Sequence, residues 1–105
     1  MGLDPKIANL IGFAAKSGKL LLGTFSVEQG IRQNRAKLVL AAKDMNPKRL
    51  EILQLWCADM HIPFHVVGVK EDYGAVLLRS PIGLLALTDE HMVSGVLQAL
   101  KTNEG

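Results

Sequence analysis

The stretch Ala36-Lys37-Leu38-Val39-Leu40-Ala41-Ala42-Lys43-Asp44-Met45-Asn46-Pro47 decides the fold class. Leu38 to Ala41 is a short apolar run without alternation, the pattern of a central strand buried on both faces. Asn46-Pro47 then opens a helix: Asn accepts hydrogen bonds from the free N–H groups of a first turn, and Pro suits the first helical position, where no N–H is needed. A buried strand that passes within a few residues into a helix is the repeating step of a layered α/β domain.

The same step recurs on both sides. Towards the N-terminus, Ser26 to Gln33 reads as a helix weakened by Gly30, and Lys19 to Leu22 as a short strand closed by Gly23. Before them, Asp4-Pro5 caps a helix with Ile7, Leu10, Ile11, Ala14 and Ala15 at helical spacing, Lys16 in its last turn and Gly18 at its end. Towards the C-terminus, Leu50, Leu53, Trp56, Cys57 and Met60 form the inner stripe of the third helix, which Pro63 ends. Phe64 to Val67 is the next strand, with His65 expected on its less buried side. Lys70 to Leu77 fits a short helix, Ser80-Pro81 a turn, and Gly83 to Leu87 a last strand. Asp89 caps a final helix whose Met92, Val93, Val96, Leu97 and Leu100 are spaced for burial. The order α-β-α-β-α-β-α-β-α implies helices on both faces of a small sheet. Phe13, Trp56 and Phe64 fit core positions. No repeat, linker or low-complexity tract interrupts the chain, and residues 1–105 are expected to form one domain.

Composition narrows the function. The chain has 105 residues, 12 basic and 10 acidic, 49% of them apolar, and one cysteine. That length supports a hydrophobic core without disulfides. One cysteine excludes a disulfide framework and a four-cysteine zinc site. No apolar run approaches the roughly 20 residues of a membrane helix, and Met1-Gly2-Leu3-Asp4-Pro5 lacks the features of a secretory signal. The cytoplasm is therefore the expected compartment, with no membrane partner.

The net charge of +2 is unevenly distributed. Residues 1–50 hold nine bases and three acids, a sum of +6, whereas residues 51–105 hold three bases and seven acids, a sum of −4. Such asymmetry fits a basic surface that faces a polyanion; solvated Lys/Arg faces on the helices produce the same count.

Enzymatic chemistry finds little support. Gly12 to Lys19 has a superficial likeness to a phosphate-binding loop, but its spacing is one residue too long, Leu20 follows the lysine, and a helix precedes it. Cys57 lies on an apolar stripe, where a thiol is structural. His61, His65 and His91 lack metal-ligand spacing. Ser17, Ser26, Ser80 and Ser94 have no nucleophile elbow around them. No catalytic residue, metal or cofactor is expected; an enzyme acting on a small anion at the helix starts would lack an acid–base pair.

Two strand-to-helix turns remain, at Gly23-Thr24-Phe25-Ser26 and at Ala42-Lys43-Asp44-Met45-Asn46. If the first two strands are parallel neighbours, both turns lie at one end of the sheet, each offering unpaired N–H groups and a positive dipole end. Lys43, Lys48 and Arg49 stand at or just after the second turn and Arg32 further along the second helix, while Arg35 and Lys37 belong to the opposite end. Ordinary capping by Ser26 and Asn46 accounts for the same turns without a ligand. The aromatics are too few for a stacking sheet surface. Phe25, in a turn among basic residues, is placed to stack on a base, to meet a protein, or to tuck inward as a staple.

Gly18-Lys19-Leu20, Gly23-Thr24, Ala36 to Asp44, Asn46-Pro47, Leu55-Trp56-Cys57, Ile62-Pro63-Phe64 and Tyr73-Gly74, in that order and spacing, resemble the kink-turn-binding ribosomal protein superfamily. This superfamily includes the L-seven-Ae and L-thirty-e types and the bacterial YlxQ-like proteins, to which the likeness is greatest; it spans about residues 5–100. The resemblance implies a three-layer α/β/α sandwich with a small mixed four-stranded sheet. It also implies binding of RNA, and no DNA, at the turn after the first strand, helped by the turn before the third helix and by Leu77-Leu78-Arg79-Ser80-Pro81, where the family packs an extruded nucleotide on apolar side chains. The family's reading pattern, Gly-x-Asn-Glu-x-x-Lys/Arg, stands here as Gly23-Thr24-Phe25-Ser26-Val27-Glu28-Gln29. Phe25, Ser26 and Gln29 thus replace an Asn, a Glu and a Lys. Phe25 offers no hydrogen bond to a base edge, Ser26 no ionised acceptor, and Gln29 no charge.

The expected function is that of a non-catalytic RNA-binding protein of the ribosomal or translation machinery, directed to kink-turn, bulged or ribosomal RNA. Gly23 and Thr24 would shape the phosphate-facing turn, Phe25 and Leu78 would pack on an unstacked base, and Ser26, Gln29 and Ser80 would offer hydrogen bonds. Lys19, Arg32, Lys43 and Arg79 would neutralise phosphates. The alternative is a protein–protein interaction module that keeps the fold, with Phe25, Leu77 and Leu78 as an apolar anchor.

Overall fold

The structure, a computed structural model, describes residues 2–104, with side chains described through Lys101. The elements follow the expected order: α1 (Pro5–Lys16), β1 (Leu20–Leu22), α2 (Gly23–Arg32), β2 (Leu38–Ala41), α3 (Pro47–Asp59), β3 (Phe64–Val66), α4 (Lys70–Leu77), β4 (Leu84–Leu87) and α5 (Glu90–Glu104). Three helix starts carry side-chain caps. Asp4 accepts from the Lys6 N–H at 2.7 Å, Asn46 from those of Lys48 and Arg49 at 2.9 and 3.3 Å, and Asp89 from those of His91 and Met92 at 2.8 and 3.3 Å. Pro5 and Pro47 each open a helix where the absent N–H costs nothing.

The sheet is mixed, in the order β1-β4-β2-β3. β4 is antiparallel to β1 and to β2, and β3 is parallel to β2. The condition that β1 and β2 be neighbours is therefore not met: β4 lies between them. All four residues of β2 and of β4 are buried, so these two apolar runs take the centre of the sheet and leave the shorter β1 and β3 at its edges. Because β4 reverses direction twice over, β1 and β2 still run the same way, and the turns that follow them lie at one end.

Successive side chains of a strand point to opposite faces, and the two central strands divide their residues accordingly. Leu38, Leu40, Leu85 and Leu87 pack with Ile7 and Ile11 of α1, Tyr73 of α4 and Val96 and Leu100 of α5. Val39, Ala41, Leu84 and Ala86 pack with Val27 and Ile31 of α2 and Leu53 and Cys57 of α3. The result is three layers, with α1, α4 and α5 on one side and α2 and α3 on the other. Each fully buried Leu or Ile contributes about 1.5–3 kcal/mol relative to exposure. Gly30 stands where α2 touches Leu21 and Ala36, and a side chain there would have to displace the end of Leu21.

Three local expectations fail. Phe13 is 59% exposed: it lies at least about 100° round the helix from each of the buried Ile7, Ile11 and Ala14. Ala15, at the margin of that stripe, is exposed as well, while Trp56 and Phe64 are half-buried. His65 is half-buried beside Leu97 and Leu100 of α5, and the next residue, Val66, is the more exposed one. α2 begins at Gly23, not Ser26: extended Leu22 passes directly into the helix through Gly23 at φ +87°, a conformation that L side chains rarely adopt.

α4 is fixed at both ends. The buried Tyr73 hydroxyl donates to the Val67 carbonyl at the exit of β3. At the other end the chain turns at Leu78, in the left-handed region, and residues 79–82 run back along the helix. The Arg79 N–H donates to the Gly74 carbonyl at 2.9 Å and the Ile82 N–H to that of Lys70 at 3.2 Å. A Cβ on Gly74 would lie 2.8 Å from the Arg79 carbonyl oxygen and 3.0 Å from Pro81 Cα, both backbone atoms. Among the described residues no helix is long and apolar enough to cross a membrane.

Two measurements test this packing. Gly74→Ala forces a methyl group against backbone and is expected to cost about 1–3 kcal/mol in urea denaturation. Burial pushes the Cys57 thiol up from 9.0 to about 11 and the Tyr73 phenol higher still, the latter helped by the charge of Asp72. Between pH 9 and 11 the unfolded chain thus holds fewer protons than the folded one, and stability falls as pH rises. Cys57→Ala should lower stability at neutral pH yet flatten that alkaline slope.

Candidate nucleic-acid interface

The strand directions gather the C-terminal ends of β1, β2 and β3 and the N-terminal end of β4 at one end of the sheet. From it depart α2, α3 and α4, so three helix N-termini, each carrying a partial positive charge, share that end with the loop that feeds β4. A shallow groove of about 380 Å³ opens among them. Gly23 and Thr24 of α2 form one wall, Met45, Asn46 and Arg49 a second, and Lys70, Pro81 and Ile82 a third; Gly83 and Leu84 complete it.

Hydrogen bonds tie these walls together. The Asp44 carboxylate accepts from the Lys70 N–H at 3.0 Å, joining the β2–α3 turn to α4, and Asp72 accepts from the Val69 N–H at 2.9 Å. The Ala42 N–H donates to the Gly83 carbonyl and the Lys43 N–H to that of Gly68, both at 2.8 Å. Arg49 Nη1 donates to Glu28 Oε2 at 2.9 Å, bridging α3 and α2. The Arg49 side chain remains 45% exposed and that of Glu28 only 16%. The pair therefore presents its cationic member to solvent; at such exposure it adds little to stability but fixes where the guanidinium stands. α2 starts without a side-chain cap, since Ser26 is not at its N-cap position.

The structure distributes the residues singled out from sequence unequally. Gly23 and Thr24 line the groove. Phe25 follows them in sequence but does not line the groove, and it is 74% exposed, so it is neither buried nor a staple. Ser26 is half-buried, and Gln29 is exposed one turn on, on the same side of α2 as Phe25. Arg32 lies beyond it, with its guanidinium 6.0 Å from the centre of the Trp56 ring on the outer surface between α2 and α3. Leu78 is 92% exposed, and Arg79 and Ser80 are exposed beside it; the groove takes the continuation of their loop, Pro81 to Gly83.

Two residues belong elsewhere. Lys19 precedes β1 and so stands at the far end of the sheet, where its carbonyl accepts from the Thr88 N–H. Lys43 faces a separate cleft with Asp4, Gly68 and Asp72, on the α1 side. Sequence reasoning left Lys70 out of the site altogether: it comes from the acidic half of the chain, and only the parallel pairing of β3 with β2 brings the start of α4 to this end. Arg49 was visible as a base next to the second turn, but not as a wall of the groove.

What the arrangement offers is anion binding. Among the described residues no group of three or more His, Cys, Asp or Glu is placed to hold a metal ion, and Cys57 and Tyr73, whose ionisation burial suppresses, are core residues that do not line the groove.

Comparison with known proteins shows the family and the fold. The chain is 35% identical over 104 residues to the large ribosomal subunit protein eL8 of Thermoplasma volcanium, covering 94% of this chain and 86% of that one. It is 36% identical over 87 residues to the eL8 protein of Drosophila melanogaster, of whose length it spans 32%. Among solved structures, a Bacillus halodurans protein of unknown function superposes with a TM-score of 0.80 at 22% identity, over 89% of this chain and 98% of that one. The Giardia lamblia 15.5kD RNA binding protein superposes with a TM-score of 0.78 at 20% identity, over 98% and 92%. These two likenesses establish the fold. Residues 5–100 match the ribosomal protein L7Ae/L30e/S12e/Gadd45 family, and the chain belongs to it.

Proposed function

We propose that this chain is a non-catalytic RNA-binding protein, a single domain that works on ribosomal or other structured RNA in the cytoplasm and engages a kink-turn or bulged element at the groove between α2, α3 and α4. The observation that carries this reading is the convergence of three helix starts with Arg49 and Lys70 on one groove. Backbone N–H groups and side-chain cations there address the same phosphate chemistry. The relatives' names, large ribosomal subunit protein and RNA binding protein, support it.

Within this reading Gly23 and Thr24 form the phosphate-facing turn, Arg49 and Lys70 neutralise phosphates at the walls, and Arg79 does so at the loop. Lys19 and Lys43, placed at the far end and in a separate cleft, have no part in the groove. The exposed Phe25 and Leu78 favour one competing reading, a protein-interaction module.

A salt titration of binding to a kink-turn RNA, a bulged stem-loop and a plain duplex separates them. The expected result is a preference of about tenfold or more for the kink-turn or bulged RNA, with log K falling linearly in log salt. Lys70→Gln should weaken binding and reduce the salt slope by about one. Arg49→Gln should weaken it further, because it also leaves the Glu28 carboxylate without its partner beside the RNA. Lys37→Gln, at the opposite end of the sheet, should change neither. Absence of RNA binding even at low salt, with salt-insensitive binding to a protein, would overturn the proposal.

A further inference from the structure

The outer face of α3 differs from that of a helix built to face water. Leu53 and Cys57 turn to the sheet and are buried. At about 100° per residue, the opposite side carries Lys48, Ile52, Leu55 and Asp59, all within an arc of about 60°. All four are exposed, and Ile52 and Leu55 leave 42% and 64% of their surface in solvent. Their spacing of four, three and four residues is that of a seam along which one helix packs on another. Read from either end the stripe has the same pattern: apolar in the middle, charged at the tips, with the two tips of opposite sign.

Those charges are misplaced for a helix on its own. The start of a helix is partially positive and its end partially negative, yet α3 has no acid in its first turn and no base in its last. Lys48 stands at the start and Asp59 at the end. Among the described residues neither side chain is in an ion pair. Arg49, by contrast, points to α2, where Glu28 holds it. An antiparallel copy of the same helix corrects both mismatches at once. A two-fold axis perpendicular to α3, at the level between Leu53 and Gln54, brings Ile52 to Leu55 of the second copy and Lys48 to its Asp59. Each charge then also lies beside the helix end of opposite sign on the other molecule.

We infer that the exposed stripe of α3 is the interface of a two-fold dimer of this chain, in which two α3 helices pack antiparallel. The contact uses the same stripe on both copies, as a closed two-fold interface requires. α3 has 13 residues and is thus about 20 Å long, so the contact is smaller than the about 1,200 Å² at which stable interfaces begin. The dimer is accordingly weak and forms as concentration rises. Its two grooves open at opposite ends, since each lies at the start of its own α3 and Arg49, which lines it, is off the stripe. The dimer is independent of what the groove binds.

Sedimentation equilibrium of the full chain, from about 10 μM to about 1 mM at fixed salt, is the test. The average mass is expected to rise from 11.4 kDa towards twice that value. Lys48→Glu sets two acids against each other at both tips, and Asp59→Lys sets two bases; each alone should weaken self-association by about tenfold or more. An equimolar mixture of these two variants should associate again, because every altered tip then meets its opposite charge. Each change also suits the dipole of its own helix, so neither endangers the fold, which circular dichroism checks. Leu55→Glu should leave a monomer at every concentration. The inference is overturned if wild type keeps the monomer mass at about 1 mM, if Lys48→Glu self-associates as wild type does, or if the two charge variants fail to associate when mixed.

Discussion

The antiparallel seating of β4 between β1 and β2 is the constraint on which the rest of the structure depends. Its four residues are buried, and its backbone pairs with β1 along one edge and with β2 along the other, which is how a strand buried on both faces finds partners for its polar groups. Leu85 and Leu87 anchor the layer of α1, α4 and α5, while Leu84 and Ala86 anchor that of α2 and α3. Because β4 runs against its neighbours, the segment that leads into it must enter at the end from which α2, α3 and α4 leave. The floor of the groove, Ile82 to Leu84, is the entrance of this strand. A sheet in which β1 and β2 lay side by side would close the gap that this entrance occupies.

The electrostatic character of the groove follows from the same arrangement and not from the charge count. The basic half of the chain sends Lys19 and Lys37 to the far end of the sheet, where they bond near Thr88 and Leu87. It sends Arg32 to the Trp56 ring. The acidic half supplies Lys70. What matters is which cations stand at the end where the helix dipoles point, and there the acids are already committed to hydrogen bonds that hold the walls in place. The loop on the third wall is held close by the absence of a side chain at Gly74. The same loop carries the exposed Leu78, so a packing requirement inside the fold positions an apolar side chain outside it.

Much of the fold was legible because its signals are local. Asp4-Pro5, Asn46-Pro47 and Asp89 announce helix starts by a chemistry confined to one turn, and each caps as expected. Leu38–Ala41 reads as a doubly buried strand, and is one. Where the reading failed, a local rule met a competing one. Phe13 is hydrophobic, but helix geometry puts it off the face of Ile7, Ile11 and Ala14. Ser26 is a good cap residue, but the positive φ of Gly23 lets the helix begin three residues earlier, and the serine is carried into its body. At the interface Gly23 and Thr24 were legible from their turn; Lys43, chemically just as suitable, faces a different cleft.

The sequence by itself determined the order of the elements, their inner faces and the family, since periodicity, capping and motif order are properties of neighbouring residues. The tertiary structure alone decided which of the helix starts share a groove and which cations reach it. Those depend on strand pairing between segments tens of residues apart, Leu20 with Leu87 and Val39 with Phe64, and no local rule encodes a partner at that distance. The exposure of Phe25 belongs to the same class: its side chain is free because the helix beneath it starts at Gly23 and turns Val27 and Ile31 to the sheet.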